Sequence, residues 1–448
     1  MSDSLIDETH DPNLRSWVTS AQDDATDFPI QNLPFGMFCR EDDAARVGIA
    51  IGDQVVDIGA CVAEGLVGGA AAKAAKLATG TTLNALMQLG RGSAASLREA
   101  VSRLLQEGTE EGTKAAGIRE RILVPVDDVE LRLPAHIGDF TDFYSSIFHA
   151  ERVGRMFRPD NPLLPNYKYV PIAYHGRAST VDVSGTDFRR PVGQRRPPNA
   201  PADELPTFEA SRALDYEAEL AFFVGTSNET GEAVPLDRAE DSIFGLCLLN
   251  DWSARDIQAW EYQPLGPFLA KSFASTISPW VVTLDALAPF RVGAYQRPPG
   301  DPKPLPYLSS VSNEKSGGLD INIEISILSE KMRAEGSKPH VLSRSRFREF
   351  YWTIFQMLTH HTSNGCRLAT GDLIGTGTVS SSGDDEMGSI LEKTKRGAEP
   401  LTLPSGETRS FVDDGDEIIL RGYCEREGYR RIGFGECRAR VLPARSLS

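Results

Sequence analysis

Acids, bases and amides gather between Leu214 and Ser275, and their spacing changes from piece to piece. In LDYEAELAFFVG, Asp215, Glu217 and Glu219 alternate with Leu214, Tyr216, Ala218, Leu220, Phe222 and Val224, the period-2 pattern of a strand. Past Glu219 both faces turn apolar, with Ala221 and Phe223, so the strand is expected to enter a core and carry its carboxylates at the entrance. After the apolar run IFGLCLLN, Asp251, Arg255, Gln258 and Tyr262 recur at i, i+4, i+7 and i+11, which predicts one stripe of a helix. Lys271 follows in FLAKSF. Alternating acids are ordinarily the wet face of a strand, and an Asp–Arg pair at i, i+4 is ordinarily a surface ion pair. Here the acids adjoin AFFVG and the stripe is flanked by Trp252, Ile257 and Trp260, so neither element has a free face.

A second chemical stretch is IGDFTDFYSSIFHA. Thr141 is expected to cap a helix in which Asp142, Ser146 and His149 share a face. Pooled, Asp142, Glu217, Glu219 and Asp251 all fall at the ends or faces of elements that should enter the core. Carboxylates about 4 Å apart repel by roughly 4 kcal/mol per pair at an effective dielectric of 20. Four such groups stay ionised together only around a cation, and an all-oxygen set selects a hard one, Ca²⁺ or Mg²⁺. Other motifs carry less. Adjacent His360 and His361 point to different faces of a helix and do not chelate as an i, i+4 pair would. Gly90-Arg91-Gly92 follows a helical pattern and not a strand, so a dinucleotide reading fails on context, and GxSxG, Walker A and HExxH are absent.

The elements that must position these groups are mostly short β-like runs between Pro/Gly turns, from VPIAYHG to YRRIGFGEC, with helices near Phe143, near Asp251 and over Phe347–His360. That is the pattern of a mainly β, α+β body, an antiparallel sandwich or roll. Upstream, FPIQNLPFGMFC and ARVGIAIGDQVVDI read as strands, the latter turning at Gly52-Asp53. LNALMQLG and AASLREAVSRLLQEG read as helices, and EGTEEGTKAAGIRER as a linker or inserted loop. The loop from Phe188 to Pro206 reads as an extended connector. The expected division is a ragged, flexible N-terminus over 1–27, a small barrel with helices over 28–133, and the main body over 134–448.

The 448 residues are 40% hydrophobic and 25% charged, ordinary for a globular protein, and no apolar run approaches the length of a membrane span. A net charge of −16 argues against a nucleic-acid partner. MSDSLIDETHDPNLRSW lacks a basic and an apolar region, so no secretory signal is expected. The six cysteines show no CxxC spacing, which suits reduced thiols in a cytoplasmic protein.

The segments IGDFTDFYSS, YHGRAS, VSGTDFRRPVGQ, LDYEAELAFFVG, NDWSARDIQAWEYQPLGPFLAKSF, THHTSNGC, GDLIGTGTVS, GSILE and GYRRIGFGEC, spread over about residues 134 to 441, resemble the fumarylacetoacetase family. GDLIGTGT marks only the wider superfamily, whereas NDWSARDIQAWEY together with TDFYSS and GSILE is far more specific. The N-terminal hairpin resembles the family's small SH3-like barrel. The resemblance implies a hydrolase that cleaves a carbon–carbon bond of the diketo acid 4-fumarylacetoacetate, giving fumarate and acetoacetate at the last step of tyrosine breakdown. It implies that Asp142, Glu217, Glu219 and Asp251 hold Ca²⁺, and that His149 is a general base oriented by Glu392. Arg255, Gln258 and Lys271 would form the oxyanion site, with Tyr144, Arg158, Tyr174, Tyr262 and Thr378 contacting substrate. It further implies a second cation, Mg²⁺, near Asp251, the backbone oxygen of Lys271 and a hydroxyl four residues later. Here that hydroxyl is Ser275 in KSFASTIS, where the family's expected wording is KSFGTTIS. A homodimer is implied as well. Two other readings stay open: a superfamily relative acting on another β-diketone or oxo acid, and a Ca²⁺-stabilised β-module that only binds partners.

Overall fold

The computed structural model describes residues 5–40, 43–197, 200–201 and 203–446. Gly52, at a φ of 56°, turns the chain between strands β2 (Arg46–Ile51) and β3 (Gln54–Asp57), which follow β1 (Phe35–Cys39). Ile51 faces Gln54, so the loop holds only Gly52 and Asp53, the tight hairpin the sequence predicts. With β4 (Leu123–Pro125) and β5 (Glu130–Arg132) they form a five-stranded antiparallel sheet in the order β4-β3-β2-β1-β5. Helix α1 (Arg91–Leu105) lays Ala94, Leu97, Val101 and Leu105 into the core beside it.

Two expectations change here. The charged segment before Ile122 is not a loop but helix α2 (Glu110–Ala116) and a further turn, Arg119–Ile122. Thr109 caps it by accepting from Gly112 N at 3.0 Å, and Ala115 is buried. Residues 5–27, expected to be ragged, are held to α1: Ser16 Oγ donates to Leu105 O at 3.0 Å, Trp17 Nε1 donates to Leu104 O at 2.8 Å, and Thr9 accepts from Arg98. The buried Arg98 guanidinium donates to Asn32 O at 3.0 Å, Thr9 Oγ1 at 2.6 Å and Gln31 O. Burial pulls the Arg98 pKa down to about 10, so three acceptors are needed to hold the charge there.

The main body begins with β6 (Phe140–Phe143), helix α3 (Ile147–Phe157), β7 (Ala173–His175) and β8 (Val181–Val183). Then come β9 (Ala218–Val224), β10 (Ile243–Asp251), helix α4 (Arg255–Glu261) and β11 (Ser275–Ile277). The remainder holds β12 (Asn322–Leu328), β13 (His340–Arg346), α5 (Ile354–Thr362), β14 (Leu373–Gly375), α6 (Ile390–Lys393), β15 (Glu417–Cys424) and β16 (Ile432–Leu442). One eight-stranded sheet runs β7-β6-β14-β9-β10-β11-β8, with Val282–Thr283 also pairing β10. A second sheet runs β13-β12-β15-β16 and ends on Phe188–Arg189. The Phe188–Pro206 connector is partly a hairpin, since Val192–Arg195 pairs antiparallel with Thr207–Ala210.

β9 explains why its sequence turns apolar on both faces. Leu220, Phe222 and Val224 pack with β12, β15 and β16 in one core, while Ala221 and Phe223 pack with the N-terminal elements in another. The strand is sandwiched, so its only polar end is the one that carries the acids.

Candidate active site

Three strand ends deliver the carboxylates to one place. β9 begins just after Glu217, and Glu219 is its second residue. β6 carries Asp142, paired in register with Gly375 of β14 and Tyr174 of β7. β10 ends on Asp251, opposite Ser275 of β11. Oxygen atoms of Asp142, Glu217 and Asp251 lie within 4.8 Å of one another, all buried.

Two local expectations are corrected. Asp142 and Thr141 are in a strand, not a helix, because both neighbours of β6 claim their backbone groups. The helix starts later, capped by Ser146, whose Oγ accepts from His149 N at 3.2 Å and donates to Ser380 O at 2.7 Å. Asp251 likewise is not on the helical stripe, since α4 begins at Arg255 after the short strand Ser253–Ala254. A strand end and a helix start bring Asp251 and Arg255 together at a spacing that mimics one helical turn.

Close approach of the acids depends on glycine in GDLIGTGT. A Cβ on Gly375 would stand 2.6 Å from Asp142 Oδ1 and 3.2 Å from Glu219 Oε2. Gly377, at a φ of 83°, aims its N–H at both Asp142 Oδ1 (3.2 Å) and Glu219 Oε2 (2.9 Å). That is one proton for two carboxylates. Burial and the charge of Asp251 push the Asp142 pKa up to about 8, and burial and Asp142 push Glu219 well above its usual range.

Positive groups balance the other side. Lys271 Nζ donates to Asp251 Oδ2 at 2.8 Å and to Glu217 Oε2. Arg255 donates from Nη2 to Glu217 Oε1 at 2.7 Å, from Nε to Asp215 Oδ2 at 2.8 Å, and from Nη1 to Gln258 Oε1 at 3.1 Å. Burial would raise Glu217, but Lys271 and Arg255 hold its carboxyl well below the usual range. The Tyr174 hydroxyl donates to Asp251 Oδ2, and Ser275 Oγ to Asp251 Oδ1 at 2.8 Å.

These residues fit a divalent cation. The donors are all oxygens, Glu219 Oε1 is buried without any hydrogen-bond partner among the described residues, and the Lys271 ammonium stands as a cation between Glu217 and Asp251.

Beside this cluster His149 Nδ1 meets Glu392 Oε2 at 2.7 Å, both side chains being buried. Glu217 forms a backbone bridge with Ser389, whose Oγ donates to Glu392, so the pair and the acids are neighbours. Glu392 Oε2 also accepts from Ser380 Oγ at 2.9 Å and Ser389 Oγ at 2.8 Å. Tyr144 presents its ring edge-on to His149, centroids 5.3 Å apart. Thr378 is buried against Gly388. Arg158 ends α3, exposed, donating to Pro162 O at 3.2 Å, and its charge reaches the Tyr144 phenol. Tyr262 follows α4 and is 39% exposed. His360 and His361 bond to Tyr307 and Thr141 and lie outside the acidic cluster.

Some positioning groups escape the sequence reading. Asp215 sits on the acidic face without an assigned role, yet it accepts from Arg255 and from Ile390 N at 2.8 Å, joining α4 to the helix that bears Glu392. Ser389 and Glu392 are spaced S-x-x-E before an apolar turn, a helix-start signal that would have found the pair.

A family model described as fumarylacetoacetate hydrolase C-terminal matches residues 140–442, and one described as fumarylacetoacetase N-terminal matches 31–134. The chain is 49% identical to the fumarylacetoacetase of Caenorhabditis elegans, over 96% of this chain and all of that one. It is 46% identical to that of Rattus norvegicus, over 96% and 99%. Among solved structures, a putative HpcE protein from Mycobacterium smegmatis aligns with a TM-score of 0.50 at 21% identity, covering 91% of this chain and 99% of that one.

Proposed function

The chain belongs to the fumarylacetoacetase family, and on that premise we propose that it hydrolyses the carbon–carbon bond of 4-fumarylacetoacetate, releasing fumarate and acetoacetate as in the last step of tyrosine and phenylalanine breakdown. The observation that carries this reading is the buried His149–Glu392 pair beside Lys271, Arg255 and the acids. A cation site with a purely structural role has no use for His149 or Lys271.

Glu392 holds Nδ1 of His149, so Nε2 is left to take a proton from water. The water oxygen then adds to a carbonyl carbon of the diketone. Arg255, Gln258 and Lys271 are the donors for the oxyanion that forms, and Tyr144, Arg158, Tyr174, Tyr262 and Thr378 contact substrate. When the tetrahedral adduct collapses, the carbon–carbon bond breaks and its electron pair leaves with acetoacetate. The proton held by His149 goes to that carbon. Asp142, Glu217, Glu219 and Asp251 would hold a divalent cation, which would supply positive charge to stabilise the departing carbanion.

The ion is Ca²⁺ in this reading, with Mg²⁺ at a second site of Asp251, the Lys271 backbone oxygen and Ser275. The Ser275–Asp251 hydrogen bond supports that pairing. A division into a small barrel over 28–133 and a catalytic body over 134–448 is supported by the separate five- and eight-stranded sheets, while residues 5–27 are bonded to the first of these units and are not a loose tail. A homodimer is supported by Leu265, 98% exposed, and Phe268, 68% exposed, in one loop beside α4. Free cysteines, five of them buried, support a cytoplasmic location. Among the described residues no helix is long and apolar enough to cross a membrane. The test is the loss of fumarylacetoacetate absorbance with purified protein, with and without chelator. Cleavage that stops on chelation and returns with Ca²⁺ is expected; intact substrate under all conditions overturns the reading.

A further inference from the structure

Glu392 divides its two oxygens unequally. Oε2 takes His149 Nδ1, Ser380 Oγ and Ser389 Oγ, while Oε1 is buried with no hydrogen bond among the described residues. Arg152, one turn beyond His149 on α3, shows the converse. Its Nη2 donates to Ser381 O and Gly383 O at 2.8 Å each, while its Nη1 is buried with no hydrogen bond among the described residues. These two orphan atoms face each other at 3.6 Å. A buried donor and a buried acceptor left unmade are both costly, and each removes the other's cost by a small closing movement.

We propose that Arg152 is a positioning residue of the His149–Glu392 pair, keeping Glu392 ionised so that it accepts from His149 Nδ1 and leaves Nε2 as the acceptor for water. The inference rests on the general-base reading of His149. A carboxylate buried among neutral partners tends to hold a proton, and a protonated Glu392 could donate to the imidazole instead, placing the proton on the wrong nitrogen. Among the described residues no cation other than His149 and Arg152 is paired with Glu392. From the segment before α3 comes the Tyr144 phenol, and from the strand region the Tyr216 phenol, both raised well above their usual range by burial. Arg255 is paired with Glu217 and Asp215, and Lys393 of α6 is paired with Asp385. Arg152 is the cation that the geometry assigns to Glu392. Its clamp on Ser381 and Gly383 also fixes the stretch that carries Ser380, a second Glu392 donor.

The experiment compares pH profiles of kcat/KM with fumarylacetoacetate for the wild type, Arg152→Gln, Arg152→Lys, Glu392→Gln and Arg152→Gln/Glu392→Gln. Arg152→Gln is expected to lose about 10-fold in kcat/KM and to move the acid limb of the profile upward by about half a pH unit or more. Arg152→Lys, which keeps the charge, holds the limb in place. In the Glu392→Gln background Arg152→Gln moves nothing further. A lower melting temperature with an unmoved limb makes Arg152 structural and overturns the inference, as does a limb that moves equally in Arg152→Lys. If Glu392→Gln alone leaves both rate and profile at wild-type values, the His149–Glu392 pair itself is abandoned, and this inference goes with it.

Discussion

Arg255 illustrates how much one side chain is asked to do at the residue scale. It binds Asp215, Glu217 and Gln258 through three different nitrogens, a use of the planar fork that lysine cannot reproduce. Arg255→Lys is therefore expected to lower kcat by 10² or more and also to lower the melting temperature, because Asp215 is left buried with a missing donor. Turnover and thermal melting of the one variant check both; unchanged turnover would remove Arg255 from the proposed oxyanion site. His149 and Glu392 are expected to act as a unit. His149→Ala should cost about 10² to 10⁴ in kcat/KM, and adding Glu392→Ala should cost little more. Multiplying losses in the double-mutant cycle would separate the two residues. The Glu392 carboxyl is also held below its usual range: burial opposes this, but His149, Ser389 and Arg152 outweigh it. A carboxyl with a depressed folded pKa stabilises the fold above its unfolded pKa, about 4.3, and loses that contribution as pH falls through the folded value. The stability difference between wild type and Glu392→Gln, measured by denaturant unfolding, is thus expected to shrink from pH 7 to below pH 4.

At the scale of elements, α3 shows where sequence reasoning succeeds and where it fails. A helix carrying His149 is legible from its spacing, but its start is not, because Thr141 and Ser146 are equally good caps in isolation. What decides is β14 and β7 pairing with β6, a long-range fact that no local pattern contains. The same holds for Asp251, where a strand end followed by a helix start reproduces an i, i+4 spacing. The alternation of Asp215, Glu217 and Glu219 is legible because period 2 survives the break between Asp215 and Ala218. The partners of those acids are not, since Lys271, Arg255 and Gly377 come from three other segments. Ser146 tests the positioning of α3. Ser146→Ala is expected to cost about 1 kcal/mol of stability from the lost cap. It should also lower kcat more than it raises KM, since Ser146 Oγ ties the first turn of the helix bearing His149, the proposed base, to Ser380 O. A stability loss with unchanged kcat would make the cap irrelevant to His149.

The whole molecule converges on a few buried acids that its own cations only half neutralise. The N-terminal elements and the second sheet clamp β9 from opposite faces, and Glu217 and Glu219 at its start are buried. Lys271 and Arg255 serve Glu217 and Asp251, while Asp142 and Glu219 share the single N–H of Gly377. Without a cation, Glu219 is therefore a cost to the fold, and in the proposed function it becomes a ligand once a cation is bound. A ligand that binds only the native state stabilises it by about 2.7 kcal/mol at a hundred times its Kd. Chelation of the wild type is thus expected to lower the melting temperature by several degrees along with activity. Glu219→Gln should melt below the wild type in excess Ca²⁺, because a ligand is lost. In chelator it should melt at or above the wild type, because an unpaired buried carboxyl is replaced by an amide that can donate towards Asp142. Melting curves of both proteins in both conditions give the result, and parallel curves that never cross would mean that Glu219 binds no cation.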